Sequence, residues 1–198
     1  KLNLSNESPN FEDRTTYHSH RVGKTTMIVS IDTGVIEPID SLDQLEFIRR
    51  ELNASVAHAL TLYHYGLYPG LSFVQQPEMK RITEKARRVL GPLFDAVPLS
   101  YSFENHYHVF KATEAILNDT SVGDSNSTKG VTYLGDGSWG IVGNNKATKH
   151  HLHHRQANAN HLFYGVFQPQ SNHSLLTVHS FNQTGEIFFT TSKSKKIP

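Results

Sequence analysis

Three short apolar runs, separated by amphipathic stretches, constrain this chain more than any other feature. Met27 to Ile31 (MIVSI) is almost continuously apolar and stops at the turn signal Asp32-Thr33-Gly34, as a buried sheet strand does. Ser41-Leu42-Asp43-Gln44 has the form of a capping box, with a hydroxyl at the N-cap and Gln three residues on. It opens a helix whose Leu42, Leu45, Ile48 and Leu52 make one apolar stripe. Val56 to Leu62 (VAHALTL) reads as a second buried strand. Pro77 starts a second helix, with Met79, Ile82, Ala86, Val89 and Leu90 on one side and Lys80, Glu84, Lys85, Arg87 and Arg88 on the other. Gly91-Pro92 is expected to end it. Val97, Leu99, Tyr101 and Phe103 then alternate inward at period two. The order strand, helix, strand, helix, strand predicts a layered α/β fold.

After residue 109 the texture changes. Residues 118–130 read as a polar, glycine-bearing loop, followed by short β-rich runs at Val131–Leu134, Leu162–Phe167, Leu175–Phe181 and Glu186–Thr191. The last two flank Asn182-Gln183-Thr184-Gly185, a hairpin turn. Residues 1–20 read as an irregular entry segment, and residues 21–198 as the domain proper. The tail SKSKKIP is expected to be a solvated, charged end.

Composition removes several classes of function. With 198 residues the chain can bury a real core. Nineteen Lys+Arg against 18 Asp+Glu leave a formal charge of +1, which gives no electrostatic case for nucleic acid or for an acidic membrane face. No apolar run approaches the roughly 18 residues needed to cross a bilayer, so no membrane span is expected. The absence of cysteine excludes disulfides, thiolate metal sites and cysteine nucleophiles. Asn-x-Ser/Thr triplets, in contrast, are in excess: Asn3, Asn6, Asn53, Asn118, Asn126, Asn172 and Asn182 all begin one. These predict N-linked glycans and an extracellular or secretory-pathway location. The polar N-terminus lacks the pattern of a signal peptide, so the expected signal lies upstream of Lys1.

The chemistry-bearing residues follow the apolar runs. His64 stands just past the second strand, in Leu62-Tyr63-His64-Tyr65-Gly66, and His106 and His108 follow the third, in Glu104-Asn105-His106-Tyr107-His108. Sites in α/β sheets gather at the carboxyl ends of strands. Imidazole suits zinc, iron and manganese, and without cysteine the remaining ligands would be oxygens. By itself a His-x-His pair is more commonly a surface or core-edge feature than a metal site.

The runs TLYHYGLYPG, PLFDAVPLSYSFENHYHVFKATEAI and GVTYLGDGSWG resemble the second half of a calcineurin-like metallophosphoesterase, of the purple-acid-phosphatase-like branch. MIVSIDTGVIEPIDSLDQLEFIRREL is similar to the same family's strand, Asp-Ser/Thr and helix region, and the end of the chain to its closing hairpins. The similarity spans about residues 15 to 191. It implies the second half of a layered β-sandwich with outer helices, and a site of two metal ions (Fe, Zn or Mn) that hydrolyses phosphate esters. By the motif His64 and His106 would bind one ion and His108 the other. Asn105 stands where the family more often has Gly. The Asp-x-Gly/His, Gly-Asp-x-x-Tyr and Gly-Asn-His-Asp/Glu motifs of the first half have no counterpart here. The site therefore requires a missing N-terminal half or another subunit, and the chain alone is expected to be inactive. The rival expectation is a non-catalytic, glycosylated structural or assembly module on the same fold.

Other candidates rank lower. His150, His151, His153 and His154 in KHHLHHR, and His18 and His20 in YHSH, read as solvated positions. Gly135-Asp136-Gly137-Ser138 lacks the lysine and spacing of a phosphate loop and reads as a structural turn, with Trp139 beside it a packing residue.

Overall fold

The computed structural model describes residues 15–34, 36–69, 77–97, 99–106, 110–136, 162–182 and 184–198. Chain order runs β1 (His18–Val22), β2 (Thr26–Ile31), α1 (Leu42–Leu52), β3 (His58–Tyr63), α2 (Pro77–Asp95), β4 (Leu99–Glu104), β5 (Phe110–Leu117), β6 (Thr120–Gly123), β7 (Val131–Asp136), β8 (Leu162–Pro169), β9 (His173–Phe181) and β10 (Ile187–Lys196). A seven-stranded sheet has the order β1-β2-β3-β4-β7-β5-β6, and a three-stranded sheet the order β10-β9-β8. Strands β2, β3, β4 and β7 run parallel: helical crossovers return the chain in the same direction from β2 to β3 and from β3 to β4, and the β5–β6 hairpin lies between β4 and β7 in the chain. The remaining pairings, at both edges and throughout the small sheet, are antiparallel.

The large sheet is covered on both faces. Met27, Val29 and Ile31 of β2 pack with Ile48 and Leu52 of α1 and with Ala86, Leu90 and Phe94 of α2. On the other face Leu60, Tyr101, Phe110, Ala112 and Leu134 meet Leu176, Val178 and Phe189 of the small sheet. The layers are thus helices, sheet, sheet: the layered α/β arrangement the sequence predicts. His58 ties the two sheets. Its Nε2 lies 2.8 Å from the Ser174 carbonyl oxygen and therefore carries the proton, while Nδ1, 3.0 Å from Ser100 Oγ, accepts from that hydroxyl. Burial lowers its pKa, in keeping with a neutral ring.

Several local expectations are overturned, each for an identifiable reason. The capping box does not form: Ser41 makes no side-chain cap bond. Gln44 is instead buried, accepting from Asp32 N–H at 2.8 Å and donating to Asp32 O at 3.0 Å, so it splices the end of β2 to α1. Leu42 accordingly turns outward, 76% exposed, and the inward stripe is Gln44, Ile48 and Leu52. Gly91-Pro92 does not end α2, which continues to Asp95. Pro92 falls in the last turn, and its missing N–H leaves the Arg88 carbonyl without its intrahelical donor at a point where the helix has only three residues left to run.

The alternation in β4 is broken by a register shift. Ala59 pairs with Leu99 but Leu60 with Tyr101, so Ser100 is an extra residue on β4. Leu99 therefore joins the helix-side core and Tyr101 the inter-sheet core. The expectation of one inward face is replaced by two. Residues 118–130 are not all loop. Asn118 and Asp119, with φ of 50° and 57°, are the central pair of a tight hairpin turn joining β5 to β6. Two positive φ values are what such a turn needs, and Asn and Asp tolerate them. Strand β1 begins at His18, within the stretch that reads as irregular, and Gly135-Asp136 closes β7 rather than forming a turn.

The charged tail is the largest departure. Strand β10 continues to Lys196, and Lys193 is fully buried. Its Nζ donates to Gly130 O at 3.2 Å and sits 5.1 Å from the centre of the Tyr101 ring. Burial, with Lys195 nearby, lowers the Lys193 pKa from 10.5 to about 7, and burial lowers that of Lys195 to about 8. The unfolded chain then binds more protons than the folded one between pH 7 and 10.5, so stability rises with pH across that window. Chemical denaturation of wild type and Lys193→Met at pH 7 and pH 9.5 checks this. The variant should gain much less on going to pH 9.5; equal gains would refute the burial of a titrating amine.

Candidate functional site

Strands β2, β3 and β4 end side by side, and the loops that follow carry the polar residues. Asp32, after β2, is fully engaged in shaping its own turn. Its carboxylate accepts from Gly34 N–H at 3.0 Å, Ile36 N–H at 3.1 Å, Glu37 N–H at 3.0 Å and Thr16 Oγ1 at 2.7 Å. Thr33 Oγ1 accepts from Tyr65 N–H at 2.7 Å, which fastens the loop after β3 to the loop after β2.

The same loop is fastened more strongly to the end of β4. Glu104, 1% exposed, accepts from Tyr63 Oη at 2.8 Å, Leu67 N–H at 2.6 Å and Tyr68 N–H at 3.3 Å. Its remaining partner is the ammonium of Lys111, 3% exposed, which also donates to the Tyr68 carbonyl. Glu104 and Lys111 stand on β4 and β5, which are not neighbours, since both pair with Gly135 of β7 between them. Directly paired residues share a face, and a glycine there leaves room for the two long side chains to meet above the strand. Gly66 is pressed against the same carboxylate: a Cβ there would lie 2.9 Å from Glu104 Oε2. Burial and the Glu104 charge hold the Tyr63 hydroxyl well above its ordinary pKa, so it stays a donor.

His64 and His106 are brought together on this base. His106 Nδ1 lies 2.8 Å from His64 Nε2, with the rings steeply inclined and Tyr65 edge-on to both. His64 is exposed and His106 half-buried. His106 has φ +69°, a left-handed conformation costing on the order of 1–3 kcal/mol for a non-glycine residue. Asn105 holds it there by donating from Nδ2 to Tyr63 O at 2.7 Å and from its backbone N–H to the same oxygen at 3.2 Å.

The separation of the two nitrogens suits adjacent ligands of one ion, since metal–nitrogen bonds of about 2.0–2.1 Å at a right angle put the nitrogens ~2.8–3.0 Å apart. The rest of the donor set does not complete a centre. Among the described residues no group of three or more His, Asp or Glu could hold a metal ion. The Asp32 and Glu104 carboxylates are committed to protein donors. The described residues thus fit two positions on one ion and not a two-ion site. His108, His150, His151, His153, His154 and Trp139 lie outside the described residues, as do Asn3 and Asn6. His18 and His20 lie on edge strand β1. Of the remaining sequons, Asn53, Asn118, Asn126 and Asn172 are exposed and Asn182 is half-buried.

A sheet with helices on one face, a smaller sheet on the other and its polar loops at the carboxyl ends of parallel strands is the fold of part of a calcineurin-like metallophosphoesterase domain. The chain is similar in structure to a purple acid phosphatase, PPD1, from yellow lupin (Lupinus luteus) seeds, with TM-score 0.70, 17% identity, 91% of this chain covered and 33% of that one. It is also similar to GAP50, the anchor in the inner membrane complex of Plasmodium, with TM-score 0.58 and 13% identity, covering 92% of this chain and 53% of that one. The chain therefore spans a third to about half the length of these two proteins. No family model matches the sequence, and no curated protein matches it. No helix among the described residues is long and apolar enough to cross a membrane.

Sequence reasoning singled out the two imidazoles but gave no role to Glu104 or Lys111. The available signal was polar alternation: Ser100, Ser102 and Glu104 recur at period two in β4, and Lys111 is one of two charges, with Glu114, in the mostly apolar β5. Removing one partner of a buried ion pair leaves the other charge uncompensated. Lys111→Met should cost about 3–5 kcal/mol, and the double variant Glu104→Gln/Lys111→Met should recover a large part of it. Urea unfolding of the full cycle measures this, and additive losses would show that the two groups do not compensate one another.

Proposed function

We propose that this chain is the C-terminal part of a secreted, glycosylated, phosphatase-like metallohydrolase acting on phosphate esters. In this reading His64, His106 and His108 are metal ligands, and the site is completed by a segment outside these 198 residues or by another subunit. The observation that carries it is the 2.8 Å approach of His64 and His106 at the carboxyl ends of adjacent parallel strands, held by a strained backbone and a buried ion pair. Two Fe, Zn or Mn ions would supply Lewis acidity and an activated water at near-neutral pH. This chain's own residues place two imidazoles, shield their base from water and fix the loop that leads to His108.

The test uses a longer polypeptide carrying the missing first-half motifs. Its metal content, by elemental analysis, should fall on His106→Ala, and its hydrolysis of p-nitrophenyl phosphate should fall at least 100-fold, as loss of an inner ligand implies. The 198-residue chain alone should bind metal weakly and show negligible turnover. Robust turnover by that chain would overturn the need for a completing segment.

The second reading is a structural or assembly module. It is favoured by the commitment of Asp32 and Glu104 to internal donors, and by the likeness to a protein described as an anchor. A folded longer polypeptide without metal or activity would support this reading and defeat the first.

A further inference from the structure

A cleft away from the histidines lies between the second half of α2 and the β5–β6 turn, with a volume of about 610 Å³. The turn is tied to the helix side by three contacts. Asn118 N–H donates to Asp95 Oδ2 at 3.0 Å, Tyr68 Oη donates to Asp119 Oδ1 at 2.5 Å, and Arg87 approaches Asp119 at 3.9 Å. The floor is Gly91-Pro92. A Cβ on Gly91 would meet nothing within 4 Å, although the residue itself is buried, so the floor is open and carries no projecting polar group.

Asn118 lines this cleft, is exposed, and begins the sequon Asn118-Asp119-Thr120. We propose that Asn118 carries an N-linked glycan whose first two sugars lie in the cleft on Gly91-Pro92. The chemistry of the walls points to a neutral, hydroxyl-rich occupant. Arg87 and Arg88 offer planar donors while Glu84, Asp95 and Asp119 offer acceptors, a mixed set of two cations and three carboxylates that suits hydroxyl groups, which both donate and accept. The bare floor suits the C–H face of a pyranose. The volume falls within the range of small-ligand sites. A sugar tethered at the mouth needs little intrinsic affinity, because a short link gives it an effective concentration in the millimolar range. The seated sugars join the turn to α2, reinforcing the Asn118–Asp95 contact. This inference rests on the secretory reading above.

The test uses the full-length glycoprotein secreted from a eukaryotic host. Glycopeptide mapping should find Asn118 occupied. Under native conditions an endoglycosidase that cuts between the first two sugars should release the Asn118 glycan at least tenfold more slowly than the glycan on Asn53, an exposed residue at the C-terminal end of α1. Gly91→Leu fills the floor, keeps the sequon and is compatible with a helical backbone, so release at Asn118 should rise to the Asn53 rate. If that variant does not fold, the wild-type comparison decides alone. Asn118 unoccupied while other sequons carry sugar, or release from Asn118 as fast as from Asn53, would overturn the cleft assignment and leave the secretory reading standing. No sugar at any sequon would overturn both.

Discussion

The carboxylate of Glu104 meeting the ammonium of Lys111 above Gly135 is the interaction on which the functional end of this fold depends. Taking two such groups from water costs several kcal/mol for each ion, recovered only when geometry and additional hydrogen bonds satisfy both. Here the satisfaction comes from the loop after β3: Leu67 and Tyr68 give N–H groups to the carboxylate, and the Tyr68 carbonyl accepts from the ammonium. The loop cannot move without stripping hydrogen bonds from a buried ion pair. Its first residue, His64, therefore sits on a platform fixed both by these hydrogen bonds and by the burial of Leu67 and Tyr68 in the core.

The bulge at Ser100 is what delivers Glu104 to that platform. Without the extra residue, Ser102 and Glu104 would share a face with Ser100, the partner of His58 in tying the two sheets. With it, Ser102 and Glu104 face the helix side, where the Tyr63 hydroxyl reaches both. One irregular residue thus separates two polar networks, one between the sheets and one under the candidate site.

This also explains what the sequence disclosed. The order β2, α1, β3, α2, β4 was legible because each apolar run is longer than the noise in the pattern and helical crossovers force parallel strands, whereas β1, β5 and β6 went unread. The positions of His64 and His106 were legible for the same reason, since each follows directly on such a run. What escaped were the features decided by partners distant in the chain. Gln44 resembles a capping residue until the backbone of Asp32 is beside it. Lys193 resembles a solvated tail residue until β9 and Tyr101 surround it, because a period-two strand hides a lysine as readily as it exposes one. Ser100 offers no local sign of a bulge, and the meeting of Glu104 with Lys111 depends on a glycine that comes 24 positions after the lysine.

Strain and its restraint coincide at one end of the sheet. His106 adopts a left-handed backbone that a glycine would take without penalty, and Asn105 spends its side-chain amide on holding that geometry. A purely structural turn could place glycine at His106 and avoid the cost. The imidazole there instead reaches His64 at hydrogen-bond distance, and the pair stays accessible to solvent while the residues beneath it are buried. An outlier of this kind argues from geometry toward function. The placing of two ring nitrogens at hydrogen-bond distance is what this strained position delivers, and the proposed ligand role of the pair rests on that geometry.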